Sequence, residues 1–143
     1  MRITKYIEMD AGHRVPLHQS KCKNPHGHRY RVTIEVEGRV PEDGMVIDFG
    51  ILKEMLTTFV HDPMDHSMIL QSVIDDELGS YLEDKGWQVY WVDKAPTAEN
   101  LAEHIGRTLI DQMTLGLNLV AITVRETPSS TATWRNPWLT PIR

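Results

Sequence analysis

Apolar and polar residues alternate most regularly in the segment 29–37. Every second residue there is large and apolar, at Tyr30, Val32, Ile34 and Val36. This period of two predicts a β-strand with one buried face, because successive side chains of a strand point to opposite sides of the sheet. Other apolar segments predict three further main strands and one brief strand, at residues 2–9, 87–91, 119–126 and 45–47.

A helical period of about 3.6 residues marks two longer segments. In segment 49–61 the apolar residues recur at intervals of three and four, at Leu52, Met55, Leu56, Phe59 and Val60. They predict an amphipathic helix that Asp48 caps at its N-terminus and that Pro63 closes. A second long helix is expected to begin after the N-cap Thr97 and to end at Gly116.

The order of these main elements is strand, strand, helix, strand, helix, strand. A short helix ended by Gly86 is expected between residues 73 and 86, before the third main strand. Long alternating strands favour an antiparallel sheet, so we expect an α+β fold with four strands and two helices on one face. Residues 1–143 read as a single domain, with a core at about 2–127 and an irregular tail at 128–143.

Composition and charge narrow the classes of function. The chain has 143 residues and a formal net charge of −5, which argues against a general nucleic-acid-binding protein. It contains no apolar run long enough to cross a membrane, and its first residues do not resemble a secretory signal. A single cysteine, Cys22, excludes an intrachain disulfide, so we expect a cytoplasmic protein.

Two histidines begin the clearest strand. His26 and His28 are two positions apart, so their side chains are expected to project from the same face. His13, which follows the first predicted strand, supplies a third imidazole, and three such ligands with one open position are typical of catalytic zinc. Cys22 lies in the loop between His13 and His26. It is either a buried or incidental thiol without a role or, as the positive charges of Lys21 and Lys23 beside it favour, a reactive thiolate.

Further candidates lie outside this segment. Asp65 and His66 follow Pro63 in a predicted loop; they are either a helix-terminal region or a proton-transfer pair. Glu126 ends an apolar strand, where it is either an exposed strand end or an anchor for an amino-pyrimidinone ring. Glu99 is either a partner of the helix dipole or a substrate-binding residue. We interpret the remaining histidines as solvated or structural: His18, His61 and His104.

Together these motifs resemble the 6-pyruvoyltetrahydropterin synthase family. The resemblance runs in order from about residue 5 to residue 127, through His13, Cys22-x-x-x-His26-Gly27-His28, Val46-Ile47-Asp48-Phe49, Met64-Asp65-His66, Pro96-Thr97-Ala98-Glu99-Asn100-Leu101 and Val124-Arg125-Glu126-Thr127. The three-residue spacing after Cys22 is similar to that of the bacterial 6-carboxytetrahydropterin synthase branch. The segment 67–92 and the tail after residue 127 are longer than this branch leads us to expect.

The resemblance implies a T-fold, an antiparallel sheet with two helices that assembles into a barrel, usually as a hexamer with shared sites. It implies that Zn²⁺ is held by His13, His26 and His28. It further implies roles for the other candidates: Cys22 as proton acceptor, His66 with Asp65 as a second proton-transfer group, and Glu126 as the pterin anchor and a catalytic member of the same relay.

The implied substrate is 7,8-dihydroneopterin triphosphate. The implied products are 6-carboxy-5,6,7,8-tetrahydropterin, acetaldehyde and triphosphate, on the route to queuosine and other deazapurines. Some basic side chains are expected to meet the triphosphate, among Lys21, Lys23, Arg14, Arg29 and Arg31. Two alternatives remain: triphosphate elimination that stops at the pyruvoyl product, and a zinc- or pterin-binding protein without turnover.

Overall fold

The longest strands of the sequence pair with each other at the centre of one sheet. The computed structural model describes residues 1–114 and 116–139, and these form a six-stranded sheet in the order β4-β3-β1-β2-β5-β6. The strands are β1 (Arg2–His13), β2 (His26–Gly38), β3 (Met68–Gln71), β4 (Val89–Val92), β5 (Leu117–Thr127) and β6 (Ser130–Arg135). Residue 115, at the end of the predicted second helix, and residues 140–143 of the predicted tail lie outside this description.

The predicted sheet was wrong in its number of strands and partly wrong in their direction. The pairs β1–β2, β2–β5 and β5–β6 are antiparallel, but β1 pairs in parallel with β3, and β3 pairs in parallel with β4. The parallel pair follows from the helix between β3 and β4, because a crossover connection returns the chain in the same direction. The brief strand expected at 45–47 is absent, since the backbone there bends and Met45 N–H bonds to Asp43.

The tail expected to be irregular contains β6. In that strand Ala132 and Trp134 alternate with threonines, and the Trp134 ring packs on helix residue Gly106. A Cβ atom at Gly106 would lie 2.3 Å from this ring, so only glycine leaves room for it. The prolines of the tail obscured this period of two in the sequence.

The helices lie close to their predicted positions. They are α1 (Phe49–Leu56), a π-helical turn (Thr57–His61), α2 (Asp62–Met64), α3 (Asp76–Asp84) and α4 (Ala98–Ile110). The N-caps Asp48 and Thr97 are confirmed, since each side chain accepts a backbone N–H of the first turn. Pro63 does not close the first helical segment, because it occupies the first turn of α2, where its missing N–H is not needed. The second long helix ends at Ile110 rather than Gly116.

One face of the sheet packs on the helices. Tyr30, Ile34 and Val36 of β2 are fully buried there against α1 and α4, as the alternation predicted. The other face carries ion pairs, among them that of half-buried Arg31 with Glu8 at 2.7 Å. No helix within 1–114 or 116–139 is long and apolar enough to cross a bilayer.

Candidate active site

The three predicted zinc ligands meet where β1 ends and β2 begins. His13 pairs with His26 across the two strands, and His28 lies two positions further along β2 on the same face. Their ligand nitrogens all lie within 4.8 Å of one another, and the Nε2 atoms of His13 and His26 are 3.1 Å apart. His13 is only 1% exposed, so the cluster has a buried floor.

Backbone carbonyls set the orientation of two of these rings. His13 Nδ1 lies 2.7 Å from the Pro96 oxygen, and His26 Nδ1 lies 2.7 Å from the Asn24 oxygen. A carbonyl oxygen only accepts a hydrogen bond, so each Nδ1 carries the hydrogen and each Nε2 keeps its lone pair for a metal. This donor set fits the three-histidine arrangement of catalytic zinc.

The electrostatics also suit a cation. Burial lowers the pKa of His13, with a smaller opposing effect from the Pro96 carbonyl, and burial likewise lowers the pKa of His28. Both rings are therefore held in the neutral form that metals need. Glu126 Oε1 lies 3.6 Å from His13 Nε2 and 3.9 Å from His28 Nε2, so a carboxylate borders the point where the nitrogens converge.

The histidines form one wall of a cleft of about 710 Å³. Cys22, Glu99 and Glu126 line the same cleft, so the structure brings six of the predicted site residues together. Cys22 is half-buried in a short 3₁₀ turn, and its carbonyl oxygen accepts the Val15 N–H at 2.8 Å, which closes the loop.

Residues that the sequence analysis missed complete this cleft. Ser130, Thr131 and Ala132 of β6 line it beside Glu126. The alternation of residue types in the tail could have predicted the strand that carries them, but the prolines of the tail made the segment look irregular. Small and hydroxyl-bearing side chains thus border the predicted pterin anchor.

Asp65 and His66 occupy a different cleft. His66 lines a cavity of about 840 Å³ with Asp10, Arg29 and Trp87, and only His28 among the predicted ligands borders both clefts. Within one chain, the structure therefore does not place His66 in the cleft of Cys22.

The loop of this pair is held firmly. His66 has a backbone φ of 57°, a conformation uncommon outside glycine, and its N–H donates to the Asp10 oxygen at 2.7 Å. Asp65 Oδ1 accepts the Asp10 N–H at 2.9 Å, and Asp65 Oδ2 accepts His66 Nδ1 at 2.7 Å. With the hydrogen on Nδ1, His66 presents a free Nε2 to the cleft.

The charge of Asp65 supports this arrangement. Burial would raise the pKa of Asp65, but the hydrogen bonds from Asp10 and His66 outweigh it and lower the pKa below its ordinary value. The carboxylate therefore stays ionised, and an ionised carboxylate on Nδ1 orients an imidazole and stabilises its protonated form.

Most of the basic candidates for triphosphate binding already have partners. Arg29 forms two hydrogen bonds to Asp10, at 3.0 and 2.8 Å, and Arg31 pairs with Glu8. Arg14 lies 3.4 Å from buried Asp75. Lys21 lines the cleft of Cys22 and the histidines, which makes it the best placed of the five for an anion bound there.

Comparisons with known proteins identify relatives of this chain. A protein of Rickettsia felis named 6-carboxy-5,6,7,8-tetrahydropterin synthase is 37% identical over 133 residues, which cover 90% of this chain and 96% of that protein. A solved structure of an uncharacterised protein from Wolinella succinogenes has a TM-score of 0.82 and 23% identity, and covers 95% of this chain and 98% of its own.

A second solved structure and a family model agree with these two relatives. The 6-pyruvoyl tetrahydropterin synthase of Caenorhabditis elegans has a TM-score of 0.71 and 23% identity, and covers 95% of both chains. The two structures establish the fold as the predicted T-fold, here with a mixed six-stranded sheet. Residues 2–137 match the model of the family described as 6-pyruvoyl tetrahydropterin synthase. The chain therefore belongs to the 6-pyruvoyl tetrahydropterin synthase family.

Proposed function

We propose that this protein is a zinc-dependent 6-carboxytetrahydropterin synthase. It would convert 7,8-dihydroneopterin triphosphate and water into 6-carboxy-5,6,7,8-tetrahydropterin, acetaldehyde and triphosphate, a reaction that serves queuosine or a related deazapurine. The observation that carries the proposal is the presence of Cys22, three convergent histidines and Glu126 in one cleft. The name of the Rickettsia felis relative supports the choice of product.

His13, His26 and His28 would hold the zinc through their Nε2 atoms. When bound there, the metal supplies Lewis-acid chemistry, which makes a C–H next to a coordinated hydroxyl more acidic. Cys22 is the base that accepts this proton, and Lys21, which lines the same cleft, meets the triphosphate. Loss of triphosphate follows removal of the proton.

Glu126 would hold the pterin ring. A carboxylate accepts two parallel N–H bonds from an amino-pyrimidinone, as it does from a guanidinium group. Ser130 and Thr131 border the same end of the cleft and offer hydroxyl groups to the remaining edge of the ring. Glu99, at the start of α4, is the second acidic side chain available to the substrate.

His66 would act in a site shared between two copies of the chain. Cys22 and Glu126 share one cleft of a single chain, so the group that a neighbour has to supply is the Asp65–His66 pair. Juxtaposing the two clefts would place His66 Nε2 against the substrate for the later proton transfers. This requirement supports the predicted oligomer, for which a hexamer remains the expectation.

Product analysis tests the proposal. Zinc-loaded protein is incubated with 7,8-dihydroneopterin triphosphate, and the products are identified by mass spectrometry. A 6-carboxytetrahydropterin with acetaldehyde is the expected result. A pyruvoyl product would favour the alternative that stops after triphosphate elimination, and unchanged substrate from folded, zinc-replete protein would favour a binding protein without turnover.

A further inference from the structure

His61 lies at the end of an irregular turn in the first helical segment. After α1 the chain makes one π-helical turn, Thr57–His61, before it continues into α2. Such turns are rare inside helices, and those that occur are frequently found at functional sites. Here the turn delivers His61 to the loop that carries Asp65, whose N–H donates to the His61 oxygen at 2.7 Å.

The His61 ring lies between two carboxylates. Its Nε2 is 3.7 Å from Asp65 Oδ2, and its Nδ1 is 3.3 Å from Asp62 Oδ1. Each ring nitrogen of His61 thus faces a carboxylate oxygen. The His61 side chain is 37% exposed and that of Asp65 is 21% exposed, so water reaches this contact only in part.

One oxygen atom connects His61 with the proposed proton-transfer group. Asp65 Oδ2 accepts the hydrogen bond from His66 Nδ1 at 2.7 Å and faces His61 Nε2 on its other side. The second oxygen, Oδ1, is occupied by the Asp10 N–H. The Asp65 carboxylate is therefore contacted by the Asp10 backbone, by His66 and, at the longer distance of 3.7 Å, by His61.

We propose that His61 is a positioning residue for the Asp65–His66 pair. By attracting Asp65 Oδ2, His61 fixes the carboxylate that sets the orientation and tautomer of His66, and so acts on catalysis without touching the substrate. The inference rests on the proposed role of His66 in proton transfer. It extends the Asp65–His66 pair to a chain of three side chains, His61–Asp65–His66.

Two substitutions at position 61 and one matched control test this role. His61→Phe keeps the ring volume but removes the attraction to Asp65, and we expect kcat to fall about 10-fold, within the range found for outer partners of catalytic groups. KM should stay within about twofold, because the residue does not contact substrate. His61→Gln retains an N–H donor and should recover most of the lost kcat, while Asp62→Asn, which alters only the Nδ1 side, should leave kcat unchanged.

The outcomes distinguish the positioning role of His61 from the proposed role of His66 in catalysis. Zinc content and the midpoint of thermal unfolding are measured for each variant, so that a folding defect is recognised. If His66→Ala loses turnover but His61→Phe keeps the wild-type kcat, His61 has no positioning role and the proposed function stands. Equal losses in His61→Phe and His61→Gln would also overturn the inference. If His66→Ala is itself fully active, the proposed role of His66 has failed, and the inference fails with it.

Discussion

The Nε2 atoms of His13 and His26 face each other across 3.1 Å. Because each ring donates its Nδ1 hydrogen to a carbonyl oxygen, both facing nitrogens carry lone pairs, which repel at this distance. A cation bound between them turns the repulsion into coordination. The relationship between these two residues is thus the feature of the fold that most specifically calls for a metal.

Removal of one of these ligands should remove the metal. We expect His26→Ala to lose stoichiometric zinc, since the two remaining imidazoles form an incomplete site. Metal analysis of the purified variant by mass spectrometry measures this directly. His61→Phe, whose histidine lies outside the cluster, serves as the control and should keep its zinc; a full equivalent of zinc in His26→Ala would contradict the ligand assignment.

Two inactive variants should complement each other. Cys22→Ala and His66→Ala each remove a group from a different cleft. In a mixed oligomer with the proposed shared sites, some sites would have both groups intact. After subunits are exchanged under mild denaturation, we expect activity to return in the mixture. Each variant treated alone is the control. A mixture that stays as inactive as its components, although subunits have exchanged, would show that the site is not shared.

His104 should make the stability depend on pH. Burial lowers the pKa of His104, with a weaker opposing effect from Asp93, and its Nε2 lies 2.8 Å from the Tyr90 hydroxyl. The unfolded chain, with a histidine pKa near 6.5, then binds a proton that the folded protein does not. The free energy of unfolding should therefore decrease as the pH falls below about 6.5, and level off below the folded-state pKa.

Urea unfolding of the metal-loaded protein at several pH values measures this decrease. In His104→Gln the part of the slope that comes from this residue should disappear. The same slope in the wild type and the variant would assign the pH dependence to other groups.

The packing of β6 on α4 should be sensitive to a single methyl group. Gly106→Ala would place a Cβ atom 2.3 Å from the Trp134 ring, and overpacking of this kind costs about 1–3 kcal/mol of unfolding free energy. A double-mutant cycle with Trp134→Leu tests the cause, because the smaller side chain leaves room for the methyl group. Purely additive effects in the cycle would mean that Gly106 matters for another reason.

The local patterns of the sequence predicted most of the metal centre but not the second cleft. His26 and His28 follow the same alternation as Tyr30, so the sequence alone predicted that they share a face of the sheet. Asp48 and Thr97 were also predictable as helix caps, because each bonds to a backbone N–H no more than three residues away. The position of His66 depends instead on its bonds to Asp10, more than fifty residues earlier. Contacts of this kind leave no periodic trace in a single sequence.

Two other features were not predicted from the sequence, for related reasons. The strand β3 has four residues and pairs in parallel with both of its neighbours, so it has neither the length nor the alternation by which the other strands were predicted. The role of His61 depends on one π-helical turn, whose sequence is indistinguishable from that of a regular helix. We interpreted this histidine as structural from the sequence, and only its distance to Asp65 gave it a function to test.

The measurement that tests the central claim most directly compares binding and turnover in Cys22→Ala. Because Cys22 is proposed as the base in a cleft whose other residues are proposed to hold zinc and pterin, the variant should keep its zinc and bind the pterin as the wild type does. Its turnover of 7,8-dihydroneopterin triphosphate should fall by about 10²–10⁴-fold, as expected for a lost proton acceptor. A near-normal rate in this variant would contradict the assignment of Cys22 and the mechanism built on it.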